Sequence, residues 1–343
     1  MTALHPLARL SLAKLESPLR HVLKPVSDGA AELVFLDGNE NAYGGQYCRY
    51  PEADPIAVRE LFARYLASGL THEHVWITAG SSEAIDLVLR SFCEPRNDSV
   101  CICSPSFPLY QHWACANDLE LVDVPLEGER GERLALERIV AAHAKLTFLT
   151  SPHNPYGSLL DPRQVIELLE RTAGIVAIDE AYIEVTAAAS FARLVERFAN
   201  LIVLRSFSKA WGMAGLRLGA MVAAPGAIEA VRRLAAPYLV STPALEMLRA
   251  TLADPSAIEA SWQRLRHERE RLARRLVELR PVKRVHPSQT HFLRVELDDM
   301  PRRVRELLQA GIVIKPLAGA LVRVTVGRSE ENDRLVEVLA RLG

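Results

Sequence analysis

Three short polar stretches each follow an apolar run, and together they hold the groups that amine chemistry needs: SPHNPYG (151–157), DEAY (179–182) and SFSKAWGMAGLRLG (206–219). The last places Lys209 in a turn rich in small and apolar residues, with Arg217 on the same turn. A lysine with little water around it deprotonates more readily and becomes a nucleophile or a base. The plain alternative is a solvated loop lysine. Asp179 closes an apolar run, where an acid serves either as a charge partner or as the cap of a helix beginning at Glu180. Asn154 precedes a proline and reads as a turn residue or as a polar contact. Tyr182 adds a phenol to the same set.

The elements that must position these groups follow from periodicity. SSEAIDLVLRSFCEP (81–95) has helical spacing, SVCICSP (99–105) and DLELVDVPL (118–126) are strand-like, and KLTFLTSPHNPYG (145–157) is a strand running into a Pro/Gly loop. PRQVIELLERT (162–172) reads as a helix, GIVAIDEAY (174–182) as a buried strand and NLIVLRSFSKAWG (200–212) as a strand followed by a turn. Strands alternating with helices predict an α/β domain with a largely parallel sheet flanked by helices. Past residue 240 the texture changes to a long charged helix pattern, IEASWQRLRHERERLARRLVELR (258–280), then strand-like THFLRVEL and ALVRVTVG with the helix pattern PRRVRELLQAG between them. We therefore expect three parts: 1–40, a segment packing on the smaller domain; 41–240, the large domain; and 241–343, a smaller α+β domain.

In open parallel sheets ligands bind beyond the carboxyl ends of the strands, so Asn154, Asp179, Tyr182 and Lys209 are expected in one crevice. Such a set suits pyridoxal 5'-phosphate, which needs a lysine amine for a Schiff base, an acid at its pyridine nitrogen, donors to its ring hydroxyl and a cradle for its phosphate.

Further landmarks are LDGNENAYG (36–44), RYPEADP (49–55), AGSSEAIDLVLRSFCEP (79–95), SPSF (104–107), APYLVSTP (236–243) and VRVTVG (322–327). In order and spacing the chain resembles the fold-type I pyridoxal-phosphate aminotransferases, and among them the histidinol-phosphate aminotransferases, over nearly its whole length. The resemblance implies that Lys209 bonds the cofactor aldehyde and then moves the substrate proton. It also implies that Arg217, Ser206, Ser208 and the helix start at Gly80, Ser81 and Ser82 hold the phosphate, that Phe107 stacks on the ring, that Asp179 pairs with the pyridine nitrogen, and that Asn154 and Tyr182 reach the ring hydroxyl. Tyr50 resembles a tyrosine that reaches the phosphate of the neighbouring subunit, which implies a homodimer with shared active sites. Arg323 is the expected carboxylate grip, with Asn41 and Lys315 as further substrate contacts. The implied partners are a small-molecule amino donor and a 2-oxo acid, 2-oxoglutarate in that family. Pyridoxal-phosphate lyases such as threonine-phosphate decarboxylase share the scaffold, and a non-catalytic binding module is a third reading.

The sequence departs from the family pattern around the substrate. Lys315 stands where an arginine grips a distal phosphate, and Leu19 where a tyrosine contacts it. Tyr156 replaces a small residue and His291 an asparagine.

Composition sets the outer limits. The 343 residues are 49% hydrophobic and 24% charged with net charge −1, typical of a soluble globular protein and without a field to attract nucleic acid or anionic membrane. No apolar run reaches the ~20 residues of a membrane helix, and the N-terminus lacks a secretory pattern, so we expect a cytoplasmic protein. Five cysteines without a CxxC pair speak against a disulfide framework or a zinc site, and we expect no metal.

Overall fold

The computed structural model describes residues 3–18, 34, 36–66 and 69–342. In chain order its elements are α1 (Ile56–Leu66), β1 (Val75–Thr78), α2 (Ser81–Phe92), β2 (Ser99–Ile102), α3 (Pro108–Ala116), β3 (Glu120–Asp123), α4 (Leu136–Ala141), β4 (Leu146–Thr150), α5 (Pro162–Arg171), β5 (Ile175–Asp179), β6 (Leu201–Ser206), β7 (Gly219–Ala223), α6 (Pro225–Arg232), α7 (Thr242–Ala253), α8 (Ser256–Val277), β8 (Val282–His286), β9 (Phe292–Leu297), α9 (Met300–Gln309), β10 (Lys315–Pro316), β11 (Leu321–Thr325) and α10 (Ser329–Arg341).

Seven strands form one sheet in the order β1-β7-β6-β5-β4-β2-β3. β3, β2, β4, β5 and β6 are parallel neighbours, and β7 alone runs against the strands on either side of it. β4, β5 and β6 are buried along their whole length, as expected of strands covered on both faces, which is why they read as unbroken apolar runs. One face packs Phe62, Val165, Leu168 and Leu248, and the other packs Ile85, Val88, Phe92 and Ile228. A second sheet, β10-β11-β9-β8, is antiparallel throughout and packs its apolar face on α8, α9 and α10 through Leu272, Leu307 and Leu335.

Two boundary expectations differ from the structure. The described N-terminal stretch packs on the large sheet's helices, not on the smaller domain: His5 N bonds Gly226 O at 3.2 Å, Arg9 N bonds Ser91 O at 2.9 Å, and Leu12 is buried beside α2 and α6. The change at residue 240 is not a domain boundary either. The apolar face of α7, Ala244, Leu245, Leu248 and Leu252, joins the core of the large sheet with Val58 and Phe62 of α1, and the second core begins within α8 at Leu272. A charged helix pattern marks exposure of a face and does not tell which body its apolar face covers.

Among the described residues no helix is long and apolar enough to cross a membrane, and no cluster of three or more His, Cys, Asp or Glu is placed to hold a metal ion.

Candidate active site

The parallel strands deliver their last residues to one edge of the sheet. Asp179 ends β5 and is buried; its Oδ1 accepts from Ala181 N at 2.9 Å and its Oδ2 from the Tyr110 hydroxyl at 2.8 Å. Tyr110, fully buried on α3, lies 3.0 Å through its hydroxyl from Thr150 Oγ1 at the end of β4. Burial pushes the Asp179 carboxyl above its usual value, while the bonds from Tyr110 and Ala181 and the charge of Lys209 pull the other way. A buried acid short of countercharge accepts a cationic N–H partner readily.

Lys209 follows β6 on a turn pinned from several sides. Gly212 N bonds Lys209 O at 2.9 Å, Met213 N bonds Phe207 O at 2.9 Å, and the indole of Trp262 on α8 donates to Ala210 O at 2.8 Å. Beneath it, Trp211 donates to Glu184 Oε1 at 2.8 Å, and Glu184 also pairs with the buried guanidinium of Arg205. The Lys209 side chain itself is exposed to the cleft. Its amine is nonetheless held below the ordinary lysine value, first by surrounding protein atoms and then by the cations Arg323 and Arg217, with Asp179 opposing them.

Two glycines let Arg217, β7 and the start of α2 come together. Gly80 caps α2 with φ +89°, and a Cβ there would lie 2.8 Å from Arg217 Nη2. A Cβ on Gly219 would lie 2.5 Å from Gly80 C and from Ser81 N, so β7 and the start of α2 touch backbone to backbone. Arg217 itself takes the left-handed conformation, φ 54°, at a cost of roughly 1–2 kcal/mol for a non-glycine residue. That backbone sends its Nη1 to Ser208 Oγ at 3.1 Å, beside the helix start where Ser81 and Ser82 present N–H groups. Ser206 is buried at the end of β6, with its Oγ 3.4 Å from Ser208 N.

Asn154 and Tyr182 meet across the crevice, Asn154 Nδ2 lying 3.5 Å from the Tyr182 hydroxyl, and Arg323 Nη1 on β11 donates to Asn154 Oδ1 at 2.6 Å. The smaller sheet thereby reaches into the site of the larger one. Burial pushes the Tyr182 phenol up to about 12. Register pairs Lys315 with Arg323, which puts both cations on one face of that sheet. They line a cleft of about 570 Å³ together with Ile314 and Thr325. Phe107 starts α3 half-buried, its ring 5.7 Å from Tyr110.

Tyr50 and Asn41 have their contacts elsewhere. The Tyr50 ring stacks on Tyr238 at 4.6 Å in a second cleft, and Asn41 Oδ1 accepts from Tyr43 N at 3.2 Å on an exposed loop. Tyr156 is turned toward Arg294, whose guanidinium sits 4.6 Å over its ring. Leu19 lies outside the described residues. Sequence reasoning missed Tyr110. The signal was a phenol on the inward face of PLYQHWACA, since a buried tyrosine needs a partner for its hydroxyl.

A seven-stranded, mostly parallel sheet with a lysine, an acid and an arginine near its strand ends, met by a second arginine from a smaller antiparallel sheet, defines an α/β protein with its polar cluster between the two sheets. The description "Aminotransferase class I and II" matches residues 22–339, and the chain belongs to that family. It is an aminotransferase. It is 37% identical over 329 residues to the histidinol-phosphate aminotransferase of Xanthomonas axonopodis pv. citri, covering 90% of each chain. To that of Christiangramia forsetii it is 32% identical, covering 97% of this chain and 98% of the relative. Its fold matches the histidinol-phosphate aminotransferase of Sinorhizobium meliloti, solved in complex with pyridoxal-5'-phosphate, with a TM-score of 0.78 at 23% identity, covering 88% of this chain and 85% of that one.

Proposed function

We propose that the chain transfers an amino group from histidinol phosphate, or a related amino substrate, aromatic ones included, to 2-oxoglutarate, with pyridoxal 5'-phosphate as cofactor. The observation that carries the reading is the convergence of Lys209, Asp179 and Arg217 at one sheet edge, with Arg323 of the smaller sheet as a further charge beside Lys209. The residues fit the cofactor. The glycines at 80 and 219 leave a cradle that a Cβ would fill, Arg217 and the α2 N–H groups suit a phosphate, and the buried Asp179 suits a protonated pyridine nitrogen. Phe107 would cover the ring, and Asn154 and Tyr182, which lie 3.5 Å apart, would bond its hydroxyl.

When bound, pyridoxal phosphate supplies an electron sink for the pair released from the substrate Cα–H bond and carries the amino group from one substrate to the other. Lys209 would hold the cofactor and, once displaced by the substrate amine, its lowered basicity would leave more of its amine neutral, so that Nζ can take the substrate Cα proton as a base and later deliver it as an acid. Asp179 stays buried and charged against its cationic partner, with Tyr110 fixing the direction of its Oδ2. Arg323 clamps a substrate carboxylate, and Lys315 attracts a distal anion as a point charge. The two relatives named above, at 37% and 32% identity, are histidinol-phosphate aminotransferases, which favours this reading over a lyase. Tyr43, 98% exposed, and the half-exposed Tyr47 and Tyr50 support a homodimer in which Tyr50 serves the neighbouring site.

The test is glutamate formation from histidinol phosphate and 2-oxoglutarate by purified protein. Wild type turns over, and Lys209→Ala retains the cofactor through Arg217 and α2 while losing turnover. Carbon dioxide release without glutamate, or near wild-type transamination by Lys209→Ala, overturns the assignment.

A further inference from the structure

Side chains alternate across a strand, so the chain at the ends of β5 and β6 presents Asp179 and Ser206 on one face of the large sheet and Glu180 and Arg205 on the other. On that second face three charges are buried together. Arg205, 3% exposed, pairs with Glu184 and lies 3.5 Å through Nη1 from Glu180 Oε2. Glu180 is held in turn by Ser190 Oγ at 2.5 Å and Phe191 N at 2.6 Å. Glu184 stands on the single helical turn Ile183–Val185, and its Oε1 takes both the Arg205 guanidinium and, at 2.8 Å, the indole N–H of Trp211. Its Oε2 is buried and has no partner among the described residues. A buried carboxylate that gathers two donors on one oxygen and leaves the other bare is oriented by those donors, at a desolvation cost that an apolar side chain would not carry.

The Glu184–Trp211 bond joins two segments that the site uses. Glu184 lies two residues past Tyr182 and Trp211 two residues past Lys209. Trp211 is 2% exposed, with the rings of Tyr65, Phe207 and Trp262 set edge-on around it at 5.1, 5.2 and 5.3 Å. We infer that Glu184 and Trp211 are positioning residues: their bond, backed by Arg205, sets the separation between the Tyr182 hydroxyl and the Lys209 amine. The inference rests on the proposed function, which gives those two groups their tasks. The bond acts on the proton carrier and not on the carboxylate grip, so its loss slows proton transfer and leaves substrate affinity as it was. A loosened turn also releases the Lys209 amine from surroundings that hold it below the ordinary lysine value, so its basicity rises.

The experiment compares holoenzyme of wild type, Trp211→Phe, Glu184→Gln, Glu184→Leu and the double variant Trp211→Phe/Glu184→Leu. The readouts are the pH midpoint of the cofactor absorbance, kcat and KM. Trp211→Phe removes one donor and keeps every charge. It raises the midpoint by about half a unit to one unit and lowers kcat about three- to tenfold, the equivalent of one net hydrogen bond, with KM unchanged. Glu184→Gln keeps an acceptor for the indole and holds the midpoint close to wild type, whereas Glu184→Leu moves it. The double variant goes no further than Glu184→Leu, because the second substitution finds the bond already gone. If Glu184→Leu does not fold, Trp211→Phe and Glu184→Gln decide the matter. A wild-type midpoint in Trp211→Phe, an effect on KM in place of kcat, or single effects that add in the double variant overturns the inference. Absent glutamate formation from histidinol phosphate, with the midpoint still moving, counts against the proposed function alone, and a purified protein that takes up no pyridoxal phosphate overturns both.

Discussion

At the scale of single residues, the site is a set of charges whose environments oppose their ordinary behaviour. Asp179 is buried far enough to resist ionisation, and the donors Tyr110 and Ala181 keep it available as an anion for a cationic partner. Asp179→Asn preserves shape and removes the charge. We expect kcat to fall about 10²–10³-fold, the range seen when one preorganised electrostatic group is lost, with a much smaller change in substrate affinity. Tyr110→Phe is expected to act in the same direction but less, because Ala181 N still donates. Equal activity in Asp179→Asn and wild type shows the acid to be a structural cap only. Lys315 gives a second residue-level prediction. It shares a sheet face with Arg323 but lacks the planar fork that holds a phosphate in two bonds. Lys315→Arg is expected to raise kcat/KM for histidinol phosphate by about tenfold, the equivalent of roughly 1.4 kcal/mol, and to leave phenylalanine, tyrosine and leucine unchanged. A strong preference for the phosphorylated substrate that the variant leaves unaltered removes the idea of a weak distal site. The structure narrows the alternatives here: Tyr156 is engaged with Arg294, and neutral His291 adds no charge.

At the scale of elements, the groups converge because β1, β5, β6 and β7 bring their ends together, and the tightest of these contacts is backbone on backbone. Gly219 at the start of β7 has no room for a methyl group against Gly80 and Ser81. Gly219→Ala forces the start of α2 to move, and overpacking of this kind costs about 1–3 kcal/mol. Urea denaturation is expected to show that loss, and equilibrium dialysis a weaker affinity for pyridoxal phosphate, since the displaced N–H groups belong to the proposed phosphate cradle. Unchanged cofactor affinity shows that the cradle lies elsewhere. The same elements show what periodicity can and cannot reveal. β4, β5 and β6 were legible because a strand covered on both faces is an apolar run with polar turns at its ends, and α8 because 22 residues of charged helical pattern resemble little else. β7 was not legible: GAMVA is short, small and unalternating, and nothing local marks it as the one reversed strand of its sheet. The packing of α7 on α1 was hidden for a similar reason, since an apolar stripe states that a face is buried and not against what. Lys209, Asp179, Asn154 and Arg323 could be read as candidates from type and position. The bond from Arg323 to Asn154 could not, because it joins β11 to the loop after β4, segments of two sheets that are remote in sequence.

At the scale of the whole molecule, the joint between the two bodies is built around histidines kept neutral. His153 is fully buried on the loop after β4, next to Asn154, with its ring 5.1 Å from Tyr156, and Tyr156 in turn lies under Arg294 of the smaller sheet. Burial lowers the His153 imidazole to about 4, with the Pro105 carbonyl opposing and Arg294 adding to the fall. In the unfolded chain the same ring titrates near 6.5. Between those two values the unfolded state binds more protons than the folded one, so stability rises with pH across the window and is lost as pH falls from 6.5 towards 4. One such histidine contributes at most about 1.4 kcal/mol per pH unit there. Burial and the cations Lys209 and Arg323 place His291 in the same window. Asp179 and Glu180, raised by burial, act in the opposite sense, so the total slope is a difference and a single substitution is needed to isolate one ring. His153→Gln keeps a polar side chain of similar reach and has nothing to titrate. Urea midpoints measured at pH 7, 6 and 5 are expected to fall less steeply for the variant than for wild type, with the two curves diverging below pH 6.5. Parallel curves show that His153 is protonated alike in both states, and that acid does not act at this joint.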